Sequence, residues 1–343
     1  MSDPSGRLPA VTAVVLAYGA EPYLAAAVDA VLASTGVEVD VVVVDNGCTT
    51  DAVDRVKGRP GVRIIRPDQN LGYAGGTRTG AAEATGDWLA FINSDAIVEP
   101  PALARMITVA AEPGVGLAMG SIRLADNPDQ INSAGNPLHY TGLSWAGGFA
   151  EPATAHAQRR PVACGSGCGF VINTRLWHTT GGITAEYFAY CEDSELSLRL
   201  WQSGHSVEYV PDAIVKHHYE FSRNARKSYL LERNRLIMVL TTYQTHTLLI
   251  LAPMLLLTEA AMLAAATAGG WARQKTAGWT WIWRHRTWIR HHRATLQRQR
   301  TVPDRNIIDL MTAEFTPANI TVPGQRIFNT ISRGYWAIAR RLI

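Results

Sequence analysis

The side chains with chemical potential in this chain stand directly after apolar runs. Asp45-Asn46-Gly47 follows the run at 37–44, Asn93-Ser94-Asp95 follows 88–92, and Lys216-His217-His218 follows 213–215. A carboxylate and an amide at Asp45 and Asn46 suit hydrogen bonds to a nucleobase or ribose, although Asn-Gly is also a turn signal that Asp45 could simply brace. Asp95 can bind a divalent cation. Hard Mg²⁺ or Mn²⁺ prefers oxygen and keeps positions for water and substrate phosphates, so one carboxylate suffices when a diphosphate completes the shell. The competing role for Asp95 is capping a helix that starts near Pro100. His217 or His218 offers an imidazole to the same metal, and Lys216 a cation to a phosphate.

Arg66, Asn70 and the glycines of Asn70-Leu71-Gly72-Tyr73-Ala74-Gly75-Gly76 lie where a strand passes into a helix. Free N–H groups at a helix start favour a phosphate. Close packing of that helix on the sheet through Gly75 and Gly76 explains the same glycines. The run Tyr190-Cys191-Glu192-Asp193-Ser194-Glu195 puts three acids at a helix start, where the helix dipole welcomes them and where Asp193 or Glu192 could take a proton from a hydroxyl. Leu196 and Leu200 recur at helical spacing and belong to the core. Arg233-Asn234-Arg235 could clamp a diphosphate or be solvated. Cys164-Gly-Ser-Gly-Cys168 lacks the spacing of a zinc site.

The elements that must hold these groups alternate. A strand at 10–17, a helix at 21–33 opening on Pro22, a strand at 37–44, a short helix at 51–57, a strand at 62–65, a helix at 73–84 and a strand at 88–92 make repeated βα units. Continuous apolar runs suit strands buried on both faces, so a parallel, doubly wound α/β sheet is expected, with ligands at its carboxyl edge. A strand at 115–119 precedes a Gly/Asn/Pro-rich stretch, 126–161, expected to be irregular with hairpins and able to fold over a ligand. Strands at 169–173, 206–210 and 213–215 and helices at 193–203 and 225–243 complete this half.

The 343 residues are 47% hydrophobic and 18% charged, which excludes wholesale disorder. Four cysteines and no apolar leader after Met1 point to a reducing, cytoplasmic setting. The net charge of +3 is unevenly spread, since residues 271–300 hold all-basic charge and five of the ten tryptophans. Residues 247–268 are apolar and, at roughly 20 residues, long enough to span a bilayer, but Pro253 and Glu259 interrupt them. Interleaved Trp and cations suit a helix lying at an anionic lipid surface, so monotopic attachment is expected, with a buried hairpin or an oligomer contact as the alternative. No nucleic-acid recognition module surrounds the basic residues. The expected division is a catalytic domain at 1–243, with a donor half to about 120, and a helical membrane-associating tail at 244–343.

Taken in order, VVVVDNGCTTD, NLGYAGG, FINSD, CGSGCGFVINTRLW, GGITAEYFAYCEDSELSLRLWQSG, VPDAIVKHH and ERNR resemble the inverting family-2 glycosyltransferases of GT-A fold, nearest the rhamnosyltransferase-like group. The resemblance covers about residues 11–240 and implies a Rossmann-like mixed sheet flanked by helices, against the wholly parallel sheet that the apolar runs alone suggest. It implies that Asp45 contacts the donor's base, that Asp95 ends the metal-binding motif, that Asp193 of the Glu192-Asp193 pair is the catalytic base, and that His217 or His218 stands near metal and diphosphate. The donor-binding set expected is Ala17, Asp45, Asn46, Arg66, Asn70, Asn93, Ser94 and Arg233. A divalent cofactor, Mg²⁺ or Mn²⁺, a dTDP-, UDP- or GDP-sugar donor and a glycan or polyprenyl-linked acceptor at the cytoplasmic face of the plasma membrane follow. Many relatives carry Asp-x-Asp where this chain has Asn93-Ser94-Asp95, and the Gln-x-x-Arg-Trp signature of processive synthases is absent, so one transfer per visit is expected. A sugar-1-phosphate nucleotidyltransferase, a glycoside hydrolase and a non-catalytic scaffold are the competing readings.

Overall fold

The computed structural model describes residues 7–219, 225–318 and 324–343. The chain divides into two compact units, one of Met1–Asn136, Ala146–Leu200 and His205–Glu220, the other of Pro137–Trp145, Trp201–Gly204 and Phe221–Ile343. In chain order the elements are β1 (Ala10–Gly19), α1 (Leu24–Leu32), β2 (Glu38–Cys48), β3 (Val62–Ile65), α2 (Gly72–Ala82), β4 (Trp88–Asn93), β5 (Ala96–Val98), α3 (Ala102–Ala110), β6 (Val115–Leu124) and β7 (Asn127–Ser133). There follow β8 (Leu138–His139), β9 (Arg160–Pro161), β10 (Gly169–Asn173), α4 (Thr174–Thr180), α5 (Glu192–Gln202) and β11 (Ser206–His217). The remaining elements are α6 (Ala225–Thr242), α7 (Thr245–Ala268), α8 (Ala272–Arg284), α9 (Arg286–Gln299), β12 (Met311–Thr312) and α10 (Gln325–Ala339).

The first unit is built on one sheet of order β3-β2-β1-β4-β10-β6-β11-β5, with β7 added to β6 and β9 to β11. Strands β3, β2, β1 and β4 run parallel, as their unbroken apolar sequence leads one to expect, and Val41 to Val44 are wholly buried. Beyond β4 the sheet is mixed. β10 lies antiparallel to both β4 and β6, and β5 antiparallel to β11. A five-residue apolar run satisfies either strand direction, so its sequence carried no sign of the reversal.

Several local expectations change. Residues 51–58 form successive turns instead of a helix. β2 continues through Asp45, Asn46 and Gly47, so the Asn-Gly pair extends a strand where a turn was expected. Residues 127–133, in the stretch expected to be irregular with hairpins, pair antiparallel with β6 as one such hairpin. The two strands expected at 206–210 and 213–215 are one, β11, whose register against β6 breaks between Val210 and Ile214. There the bulged Ala213 carbonyl comes so near Gly120 that a Cβ would sit 2.5 Å from its oxygen, which requires glycine at that point.

The second unit is helical, apart from a short parallel pairing of β8 with β12. It starts before α6, not near residue 243 as expected, because α6 is tied to later helices by buried charge. Arg235 on α6 and Lys275 on α8 both bind Glu259 of α7, and Lys275 also binds Glu232. The Trp279 indole N–H donates to the same Glu259 at 2.6 Å. Burial alone would raise the Glu259 pKa; Arg235 and Lys275 outweigh it and hold it below the usual glutamate value.

Candidate active site

All of the expected site residues except Arg233 lie in the first unit. The carboxylate of Asp45 accepts from Cys48 N at 2.9 Å and from Arg66 Nε at 3.0 Å, and Arg66 also reaches Asp54 at 2.9 Å. Burial works against the charged form of Asp45, but the Cys48 amide and the Arg66 guanidinium prevail and hold its pKa below the ordinary aspartate value. Asp45 is therefore a fixed anion beside an exposed cation, at the end of a central strand.

Asn46 proves to be a brace. Its Nδ2 donates to Asn70 Oδ1 and Gly72 O, and its Oδ1 accepts from Leu71 N. With the amide buried and occupied at both ends, no side-chain contact to a donor is left for it. The same bonding corrects the expected phosphate cradle at α2. Gly72 N donates to Asn70 Oδ1 and Ala74 N donates to Phe188 O, so two of the N–H groups at this helix start already have acceptors. The glycines serve close packing: a Cβ on Gly76 would lie 2.3 Å from Leu16, and one on Gly80 2.5 Å from Val14. Gly72 has φ +70°, and a Cβ there would lie 2.2 Å from Phe188 O.

That contact leads to the acids. Phe188, Tyr190 and Cys191, just before α5, all hold positive φ. Three such non-glycine residues in four positions store strain that the surroundings must balance, and the docking of Phe188 on the α2 start is part of that balance. Asp193, on the first turn of α5, accepts from Gly167 N at 3.1 Å through Oδ2 and from Ser194 N at 2.6 Å through Oδ1. Glu192 beside it is 6% exposed, and its Oε2 has no hydrogen-bond partner. Burial, then the neighbouring Asp193, pushes Glu192 up to about 8. Burial also raises Asp193, against the Gly167 and Ser194 bonds that favour its anion. Burial thus moves both carboxyl groups toward the protonated form, Glu192 up to about 8, while the Gly167 and Ser194 amides favour the anion at Asp193.

At the opposite end of the same loop are the expected metal ligands. Asp95 Oδ1 is 3.2 Å from His217 Nε2, and His217 Nδ1 meets Asn132 Oδ1 at 2.9 Å. Burial of the imidazole opposes its charge, but adjacent Cys168 and the Asp95 carboxylate overcome this and raise His217 to about 10. His218 turns away from Asp95 to stack on Tyr23, ring centres 3.7 Å apart, and only its backbone N–H reaches Asp95 O. The open choice between the two histidines resolves to His217. As a capping residue Asp95 fails, since α3 begins after Pro101 with no side-chain cap.

A carboxylate and an imidazole whose Nδ1 is held by Asn132 fit a hard divalent cation on condition that the metal displaces the Nε2 proton that Asp95 now favours. Among the described residues no group of three or more His, Cys, Asp or Glu side chains is placed to hold a metal, so Asp95 and His217 would need substrate or water oxygens to complete a shell. The link between the ends is the pair of adjacent residues Gly167 and Cys168. Gly167 N donates to Asp193, while Cys168 lies beside His217 and its carbonyl accepts from Asn93 N at 3.0 Å. Tyr73 Oη donates to Gly167 O at 2.6 Å and pins the loop from the other side.

Three placements remain. Ser94 is buried and Asn93 half-buried at the end of β4, where both were expected. The Ala17 methyl is fully buried, so only its backbone could meet a ligand. Arg233 belongs to the second unit, where its guanidinium donates to Asn234 Oδ1 at 2.8 Å and lies 4.7 Å from the Trp281 ring centre. Its expected donor contact is replaced by that stack. Sequence reasoning missed Asn132, Gly167, Cys168 and Tyr73. The Gly-Ser-Gly between two cysteines was the signal for the middle two, set aside because it failed as a zinc motif.

The sheet, with acids at the ends of its strands and a carboxylate pair at the mouth of a following helix, is of the GT-A class of nucleotide-sugar transferase folds. It is shared with the mannosyltransferase PcManGT of Pyrobaculum calidifontis, solved with GDP-Man and Mn²⁺, at a TM-score of 0.53 and 20% identity over 87% of this chain and 88% of that one. Residues 12–178 match the family model for glycosyl transferase family 2, and the chain carries a family-2 glycosyltransferase domain. Over 135 residues it is 37% identical to the succinoglycan biosynthesis protein ExoO of Rhizobium meliloti, which is 38% of this chain and 37% of that protein. Over 229 residues it is 28% identical to the N-acetylglucosaminyl-diphospho-decaprenol L-rhamnosyltransferase of Mycobacterium tuberculosis, 60% of this chain and 75% of that protein. The family match ends before Asp193 and His217, whose roles rest on geometry.

Proposed function

We propose that the chain is an inverting glycosyltransferase that moves a sugar, rhamnose in the first instance, from a nucleoside-diphosphate donor to a hydroxyl of a lipid-linked saccharide. The observation that carries this is the Gly167-Cys168 unit, which has Asp193 on one side and the Asp95–His217 pair on the other. A base for one substrate and an anion-compensating site for the leaving group of the other are what sugar transfer needs. The named M. tuberculosis relative motivates the sugar and the lipid carrier.

In this reading Asp45 and Arg66 hold the nucleoside end of the donor, with Asn46 and Asn70 stiffening the loop behind them. Asp95 and His217, with the donor's own diphosphate oxygens, would hold a divalent cation whose positive charge compensates the departing diphosphate. Asp193 takes the proton from the acceptor hydroxyl as that oxygen attacks the anomeric carbon. The new carbon–oxygen bond forms opposite the breaking bond to the diphosphate, giving inversion; the nucleoside diphosphate leaves and the proton stays on Asp193. Glu192, already protonated, keeps a second negative charge away from the attacking oxygen. The site of action is the cytoplasmic face of the membrane, where such donors and carriers meet.

The test is incubation of the purified chain with dTDP-rhamnose, UDP- and GDP-sugars, Mg²⁺ or Mn²⁺, and a polyprenyl-diphosphate saccharide. Release of nucleoside diphosphate with a lengthened glycan is expected. Release of pyrophosphate would assign a nucleotidyltransferase instead, and no product with any donor would defeat the reading.

A further inference from the structure

Helix α7 carries apolar side chains on both its faces. It buries Thr247, Leu251, Met254, Thr258 and Ala266, and its one carboxylate, Glu259, also points inward to Arg235, Lys275 and Trp279. Its outward stripe, Leu249, Pro253, Leu256, Ala260, Ala264 and Ala268, recurs at helical spacing without a polar atom outside the backbone, and Leu249 and Leu256 are each 70% exposed. In water the outward stripe is apolar area left uncovered beyond what the helix buries on its inner side. α10 likewise keeps apolar side chains outside: it buries Ser332, Trp336 and Ala339, while Ile327 and Ile338 stand 69% and 66% exposed, and Ile331 and, just past the helix, Leu342 are exposed too. The two helices touch, through Tyr335 Oη donating to Ile250 O and His246 Nε2 meeting Leu342 O at 2.9 Å.

We infer that the joined apolar flanks of α7 and α10 form the surface by which this chain lies on an anionic bilayer, without crossing it. Charge selects lipid as the occupant over a second copy. Residues 324–343 contain Arg326, Arg333, Arg340 and Arg341 and no acid; Arg333 pairs with Glu314 and Arg340 with Asp309, but residues 271–300 are also free of acids, so the unit stays strongly basic and two copies meeting face to face would oppose like charges, whereas anionic headgroups complement them. The 24 residues of α7 are long enough to span, but spanning would carry Glu259 and its partners on α6 and α8 into hydrocarbon. This relocates the contact expected for the Trp-rich segment. There Trp279 and Trp281 are engaged with Glu259 and Arg233, and Trp283 is the tryptophan that stands well exposed.

The inference shares with the proposed function only the lipid carrier, and its test needs no turnover. The full chain is sedimented with vesicles of phosphatidylcholine and phosphatidylglycerol, then with phosphatidylcholine alone, beside the variants Leu249→Glu/Leu256→Glu and Ile327→Glu/Ile338→Glu. Each double variant is expected to bind the anionic vesicles at least about tenfold more weakly, because two exposed apolar side chains no longer leave water. Circular dichroism and nucleoside-diphosphate release from soluble donor should be unchanged, since these positions are exposed and outside the site. Unchanged vesicle binding in both variants overturns the proposal. So does a dimer that forms without vesicles and is dissolved by the same substitutions. If the wild-type chain binds vesicles as expected but releases no nucleoside diphosphate, the surface stands and the glycosyltransfer reading falls.

Discussion

The two units distribute polarity differently. In the first, valines and isoleucines fill the sheet, and carboxylates collect at Asp45, Asp95 and Asp193, besides one ion pair, Glu195 with Arg199, held out of solvent. In the second, a lysine without measurable exposure sits among two glutamates and an arginine beside an apolar core, while Leu249, Leu256, Ile327 and Ile338 face outward. The first keeps most of its charge at the ends of the sheet. The second sets a cluster of ions inside and leaves apolar side chains among basic ones outside. A buried cluster of ions seldom improves on apolar packing for stability alone, so its value here lies in fixing the orientation of α7.

The sharpest way to break the contrast is at Asp193. Asp193→Asn should lower turnover by about 10²–10⁴ while leaving donor affinity within a factor of two to three, read by nucleoside-diphosphate release and calorimetry. Equal loss of binding would make Asp193 a structural acid like those of the second unit. Next in size is Lys275→Met. Stranding Glu232 and Glu259 with one cation fewer should cost about 3–5 kcal/mol in denaturant unfolding; a cost under about 1 kcal/mol would show the cluster to be ornamental.

A smaller effect is expected at Asn132, which orients His217. Asn132→Leu should weaken Mn²⁺ binding by about 10–100-fold, seen in the metal dependence of thermal stabilisation by nucleoside diphosphate. Smallest is the change at Glu192. Its folded pKa of about 8 exceeds the ordinary 4.5, so the folded state binds the extra proton between those values and stability falls as pH rises through them. Glu192→Gln should abolish that slope and leave the acid limb of the rate profile in place, since a protonated Glu192 already carries no charge beside Asp193. A limb that moves down would show Glu192 to be charged there.

Legibility in the sequence followed the range of the forces involved. Strands β1 to β4 were readable because continuous burial leaves a continuous apolar run, and Asp45, Asp95 and Asp193 because each follows or opens such an element. The reversal of β10, the bracing role of Asn46 and the withdrawal of Arg233 into a tryptophan stack depend on partners more than twenty residues away, for which local pattern has no sign. α7 shows the limit most plainly. Its composition advertised apolarity, but which side would face out was decided by Glu259 and by cations on two other helices.

The irregularity in β11 has a consequence for how this site tolerates changes of length. Residues 211–213 are looped out of phase with β6, so gaining or losing a residue there can be absorbed on the spot. Between Ile214 and His217 no such slack exists, because Val215, Lys216 and His217 are matched one for one to Val98, Ile97 and Ala96. A single codon inserted in that short span would keep the sheet and yet present a lysine to Asp95 where the imidazole now stands. Lineages of this chain should therefore vary in length before Ile214 and hold it constant after.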